Sequence, residues 1–362
     1  MSAANGHHTL LPGESPDGAP VLSVLLKRSY DILPGRACTR AEADRALVPG
    51  DLFWDSPMNS SVRHESDFVP WKLGTDLVFN GHVHAPGGRP VQACWAGVQV
   101  ADRLKRLWVQ GDRQARHVPD APPVFTDPDP FETLPLRYER AYGGTDVFSD
   151  PRGAFAYPRN PTGRGFVVAN TPQAVDGLPL PNIEDPNDLL TPERLCTGDY
   201  ARWAGQPAPA GLGWTGKTWM HRCQWAGVMP GDRAAEQDMR RAYAQLVPAD
   251  QREAYLSSGL PTMDFRFFQG AAPGLALPFL RGDEWLRAEN LSPEGELVFA
   301  LPAERPAIGI DIGQGEQQPE VVLHTVMVHL DERQLDLVWR AAIPYPGRDW
   351  LPRMRRLGIT VN

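Results

Sequence analysis

The sequence has little cysteine, no long apolar run and no excess of positive charge, and each shortage removes a class of protein. Its four cysteines, Cys38, Cys94, Cys196 and Cys223, lie far apart and form no C-x-x-C pair. In a chain of 362 residues they make no disulfide framework, so a reducing cytoplasm is the expected compartment. No apolar stretch approaches the roughly 20 residues that cross a bilayer. Met1 to Pro20 lacks the basic-then-apolar pattern of a signal peptide, and membrane insertion is not expected. The net charge of −8 argues against a nucleic-acid partner, whose phosphates call for a basic face. Local clusters such as Arg103, Lys105 and Arg106 read as solvated edges. A fixed-period repeat is also absent.

What is abundant is punctuation. Proline and glycine number 37 and 34, interleaved with 11 Trp and 13 Phe in a chain that is 42% hydrophobic. That mixture predicts short strands joined by well-specified turns, a β-rich, mainly antiparallel, sandwich-like protein with long irregular segments. Strands are predicted at 21–32, 77–85, 91–100, 104–110 and 134–142, the second to fourth as an antiparallel meander. Two hairpins are predicted at 285–301 and 321–343, around Ser292-Pro293-Glu294-Gly295 and Asp331-Glu332-Arg333-Gln334. The apolar positions Ala235, Met239, Ala242, Tyr243 and Leu246 predict an amphipathic helix. Asp250 with Glu253 predicts a capped second one ending near Gly259. Residues 1–20 read as a loose lead and 346–362 as a tail. Between them lies one large domain over 21–345, with sheet regions at 21–146 and 275–345 and an irregular, helical middle at 147–270. In that middle, Trp203, Trp214, Trp219 and Trp225 are expected to pin backbone onto the sheets.

Several stretches imitate chemistry. Gly211 to Thr218 spells G-x-x-x-x-G-K-[ST], the phosphate loop, but Gln206-Pro207-Ala208-Pro209-Ala210 before it cannot form the strand such a loop needs. His82 and His84 share one strand face without an identifiable third metal ligand. His221 and Cys223 are too close in sequence to be evidence of a thiol nucleophile. Glu139 with Glu184 or Asp185 would suit glycoside hydrolysis, but ion networks such as Glu139–Arg140 or Glu184–Arg164 that lock turns are the stronger expectation. No catalytic residue, metal or cofactor is expected.

Three turn-rich segments carry the most specific signal. They are Arg137 to Asp146, with Tyr138, Glu139, Arg140, Tyr142, Gly143 and Gly144; Asn160 to Phe166, with Pro161, Gly163 and Gly165; and Leu180 to Pro186, with Pro181, Asn182 and Glu184. Further cues are Ser66-Asp67, Lys72, Thr75-Asp76, Phe265 to Pro273 and Asp336 to Arg340. In this order they resemble the bacterial family of unknown function numbered 2169, over about Val21 to Ile343. One departure is Gly270, which interrupts that family's usual run from Gln to Ala-Ala-Pro.

The resemblance implies an adaptor or chaperone of type VI secretion. Such a protein binds a secreted effector, with spike-tip proteins as further partners, and performs no chemistry itself. It makes the three central segments either a partner-binding surface or the structural heart of the fold. Exposed Trp or Tyr within 200–226 are the expected anchors. The competing reading is a glycan-binding or glycoside-hydrolase-like protein on a β-rich scaffold.

Overall fold

A computed structural model describes residues 6–151, 153–227, 244–245, 247–257, 263–313, 315–344 and 358–362. Two sheets, each drawing strands from both ends of the chain, enclose one large apolar core. The larger runs His7–Glu14, Pro20–Asp31, Gln334–Pro344, Val321–His329, Thr75–Asn80 and Ala276–Leu277, with Thr39–Arg40 paired beside Pro20–Asp31. Its pairings are antiparallel except that between Thr75–Asn80 and Val321–His329. The smaller runs Ile183–Glu184, Arg103–Gln110, Ala93–Val100, Trp285–Glu289 and Glu296–Ala300, antiparallel throughout. Period-two alternation sends Ala96, Val98, Leu107, Val109, Leu286 and Phe299 inward and leaves Trp95, Leu104 and Trp285 outward.

The β-rich, mostly antiparallel class and both C-terminal hairpins agree with the sequence reading. The meander does not. After a break at Gly81, His82–His84 pairs with Thr133–Pro135, and the Pro86–Gly88 3-10 turn carries the chain into the smaller sheet. Thr75–Asn80 and Ala93–Val100 therefore lie in different sheets, and only the latter forms a hairpin with Arg103–Gln110.

The strand expected over 134–142 also gives way, because Tyr138–Arg140 is a 3-10 turn. Alternation favours a strand only where a neighbour can supply the ladder. Here the Asn160 side-chain amide donates to the carbonyls of Tyr138 and Tyr142 at 2.8 and 3.0 Å, replacing one. The lead is likewise ordered where it is described, since His7–Glu14 pairs along Pro20–Lys27. At the other end Gly358–Val361 pairs with Ile308–Asp311.

Most of the helix expected around Ala235 to Leu246 lies outside the described residues. The second is present as a 3-10 turn, Ala249–Gln251, continued by the α-helix Arg252–Ser257, with Asp250 inside the turn rather than ahead of it. Within the middle, Tyr142, Tyr157, Phe166, Val175, Leu180 and Trp203 form a second core of their own. Trp203 thus packs there, while Trp214 joins the large core and Trp219 packs on Tyr138. Among the described residues no helix is long and apolar enough to cross a membrane.

Candidate functional site

The three turn-rich segments come together in space. Tyr142–Gly143 runs parallel to Arg164–Gly165, and Ala141 bridges Ile183, so one backbone thread is flanked by the other two. Asn160 and Asn182 are fully buried at the crossing. Asn160 ties the first thread as described, and its backbone carbonyl accepts from Gly144 at 2.9 Å. Asn182 donates through its amide to the Gln110 carbonyl and to Asp112, both at 3.0 Å, and its backbone N–H meets the Arg140 carbonyl at 2.8 Å. Gly143 cannot be replaced without damage: its φ is +145°, and a Cβ there would lie 2.1 Å from the Asn160 carbonyl. Gly163 passes under the Asn160 amide and Gly165 under the Pro181 ring. Pro161 accepts from Thr145. Buried polar atoms need partners, and the side-chain amides of Asn160 and Asn182 have them, whereas the buried Tyr138 hydroxyl has none.

The charges of the segments serve the same crossing, though not in the expected pairs. Arg140 and Arg164 converge on Asp112 at 2.7 and 3.3 Å and on the side-chain Oδ1 of Asn182, both at 3.1 Å. Burial works against ionisation of Asp112, but Asn182 and the two guanidinium groups hold its carboxyl below the usual range. Glu184 pairs with Arg113, not Arg164, at 2.5 Å, and accepts from Gln110 and the Leu190 N–H. Burial pushes the Glu184 carboxyl up and the Arg113 guanidinium down. Glu139 instead accepts from the N–H and hydroxyl of Ser61 at 2.6 and 2.8 Å. The two glutamates therefore serve different neighbours. Burial also raises the Tyr138 and Tyr142 phenols far above their ordinary range.

A second polar cluster, which sequence reasoning missed, covers the large sheet. The face opposite the core bears Lys27, Ser29, Asp76, Thr325, Asp336 and Arg340, all buried. The segment over 41–72 lies across it. Lys27 donates to Asp67 and His64 at 3.0 and 3.2 Å, and Lys72 to Asp76 and Thr325 at 2.6 and 3.0 Å. Asp76 also accepts from Gln269 and from the N–H groups of Gly270 and Ala271 at 3.0 to 3.2 Å. Glu65 and Arg222 form a buried two-point pair, each contact 2.8 Å. Gly270 sits against that pair, where a Cβ would lie 2.0 Å from the Glu65 carboxylate. Burial would raise Asp336, but His329, Lys27 and Ser29 hold it well below the carboxylate range. The only sequence signal was a lysine and an aspartate in otherwise apolar strands, which are rarely buried unless paired.

The imitative motifs resolve into packing and ion pairs. Lys217 of the phosphate-loop stretch bonds Asp51 at 2.7 Å, and Thr215 donates to the Gly270 carbonyl. Trp214 fills the core, and the helix that follows at once, Met220–Cys223, has four residues. His82 bonds Asp331 at 2.8 Å; among the described residues no group of three or more metal-binding side chains occurs. Burial lowers His221 to about 4 and raises the Cys223 thiol to about 11, the opposite of an activated pair. The expected anchors are also displaced: Trp203, Trp214 and Trp219 are buried, and Arg266 caps half-buried Trp225 at 3.4 Å. Among the described residues the exposed tryptophans are Trp95 and Trp285, 44% and 54% accessible.

No curated protein and no solved structure matches the chain. Residues 17–340, which include all three crossing segments and most of the charged face, match the family described as "Uncharacterized protein conserved in bacteria (DUF2169)", and the chain belongs to it.

Proposed function

We propose that this protein is a non-catalytic adaptor that holds a secreted effector and helps load it onto the type VI spike in the cytoplasm. The secretion setting comes from the family resemblance. The observation that carries the binding role is the outer face of the smaller sheet. Trp95 and Trp285 stand on adjacent strands of that face with Leu104, and the paired residues Arg287 and Glu296 lie on the same face. Large aromatic groups within a polar surround suit a protein interface, since they bury much area for few frozen rotors. The residues best suited to chemistry support the same reading, because Glu139, Glu184 and Lys217 are each engaged by structural partners.

The test is co-purification from the native bacterium, with the wild type beside a Trp95→Ser/Trp285→Ser variant. The wild type is expected to retain the effector encoded next to it. The variant, folded to the same unfolding midpoint, should lose most of it. Deleting the gene should lower effector delivery while the injection machine still assembles. No recovered effector together with unchanged delivery would sink the adaptor reading.

A further inference from the structure

The charged face of the large sheet is sealed along most of its length and open at one end. There the 41–56 segment crosses the ends of Thr75–Asn80 and Val321–His329 and leaves a cavity of about 310 Å³. That is the lower end of the range for small-ligand sites. Lys27 lines it with Arg45 and Arg63, while Leu52, Trp54 and Met327 give it apolar walls.

Charge around the cavity is arranged asymmetrically. Lys27 faces it, whereas the carboxylates that balance this lysine, Asp67 and Asp336, lie outside its lining. Two of the three ammonium N–H groups are taken by Asp67 and His64. Asp336 at 3.7 Å is beyond hydrogen-bond reach, which leaves the third free. Exposed Arg63 has no side-chain hydrogen bond or ion pair among the described residues. Of the two carboxylates that do line the cavity, Asp331 meets His82 and Glu332 meets Arg45. His64 cannot act as a competing acceptor: its Nδ1 faces the Glu65 carbonyl at 2.6 Å and its Nε2 faces Lys27. The lining thus holds two cations with unused donors, Lys27 and Arg63, beside apolar wall.

We propose that this cavity is a carboxylate-binding pocket. Lys27 and Arg63 receive the carboxylate of an organic acid, and its short aliphatic stem lies against Leu52, Trp54 and Met327. A planar guanidinium and an ammonium in one lining both offer donors to the two oxygens of such a group. The acid can arrive free, as a small carboxylate, or as an acidic side chain of a partner protein. The pocket lies on the large sheet, on the far side of the core from Trp95 and Trp285, so it does not rest on the adaptor reading.

The test titrates the full chain with glutarate, with uncharged glutaramide, and with a capped tripeptide carrying one glutamate, followed by calorimetry. Saturable glutarate binding is expected, with glutaramide at least tenfold weaker. Arg63→Gln should weaken glutarate at least tenfold with an unchanged unfolding midpoint, because Arg63 is exposed. Leu52→Glu, which adds a like charge at the exposed wall, should abolish binding independently. A peptide that binds at least as tightly as glutarate assigns the acid to a protein side chain; glutarate alone assigns a small metabolite. Absence of saturable binding by both acids would overturn the pocket. So would equal binding of glutaramide, or binding indifferent to both substitutions.

Discussion

The two faces of the large sheet are both buried over most of their length, by opposite chemistry. On one, Leu26, Tyr30, Phe79, Val326, Leu337 and Trp339 bury against the smaller sheet. That face gains roughly 25 cal/mol for each Å² removed from water, without regard to direction. On the other, Lys27, Asp76 and Asp336 meet Asp67, His64 and Lys72 with defined partners and distances. Desolvation offsets much of what each of those ion pairs gains. The charged face therefore adds little net stability per contact, but an unpaired member is costly, so it specifies where the 41–72 segment must lie. Alternating apolar and polar residues along a strand thus do not imply a half-wet sheet.

The comparison can be broken most sharply at Lys27. Lys27→Met should cost roughly 4 kcal/mol in urea unfolding, since it strands two buried carboxylates. Adding Asp67→Asn should restore part of that loss. A cost near that of a surface change would mean the charged face is wetter than described. Next comes the apolar face, where Leu337→Ala should cost roughly 3 kcal/mol through lost burial and the cavity left behind. If its cost exceeds that of Lys27→Met, the ranking of the two faces is reversed.

A smaller effect is expected where the three segments cross. Asn160→Ala leaves the Tyr138 and Tyr142 carbonyls without their donor and should cost about 2 kcal/mol, read from the unfolding midpoint at constant slope. A neutral result would assign the crossing to the backbone pairing alone.

Acidification sharpens the comparison further. Burial lowers the pKa of His64, and lowers His324 further, each of which accepts hydrogen bonds as a neutral ring. Below about pH 6.5 the unfolded chain takes up protons that these folded rings refuse, so stability falls as pH falls. For His221 the fall continues to about pH 4. Each such histidine contributes at most about 1.4 kcal/mol per pH unit. Below the ordinary carboxylate range, protonation of Asp336 adds a further loss, because its folded pKa is depressed. His64→Gln should flatten part of the histidine slope. Stability unchanged between pH 6.5 and 4 would contradict neutral buried histidines.

The β-rich class and the two C-terminal hairpins were legible because they are local. Ser292-Pro293-Glu294-Gly295 closes a hairpin by its own turn chemistry, and Trp285–Glu289 with Glu296–Ala300 follows from alternation. The errors lie where a distant partner outvoted a local pattern. Tyr138 reads as mid-strand, yet the Asn160 amide takes its carbonyl and turns the chain. Trp203, Trp214 and Trp219 do pin backbone by packing, but the cores they join are assembled from distant segments and leave none of the three exposed as a partner anchor. Glu184 was matched with Arg164, while Arg113 was the neighbour that the crossing placed there.

By itself, then, the sequence determined the kinds of element, most turn positions and the family. Those depend on φ preferences and on hydrophobic period, which are properties of neighbouring residues. Which polar face is dry, which carboxylate meets which cation, and that Lys27 borders an open cavity were decided only by the tertiary structure. Lys27 lies 40 residues from Asp67 and more than 300 from Asp336, and the field at a buried charge depends on separation in space, not along the chain.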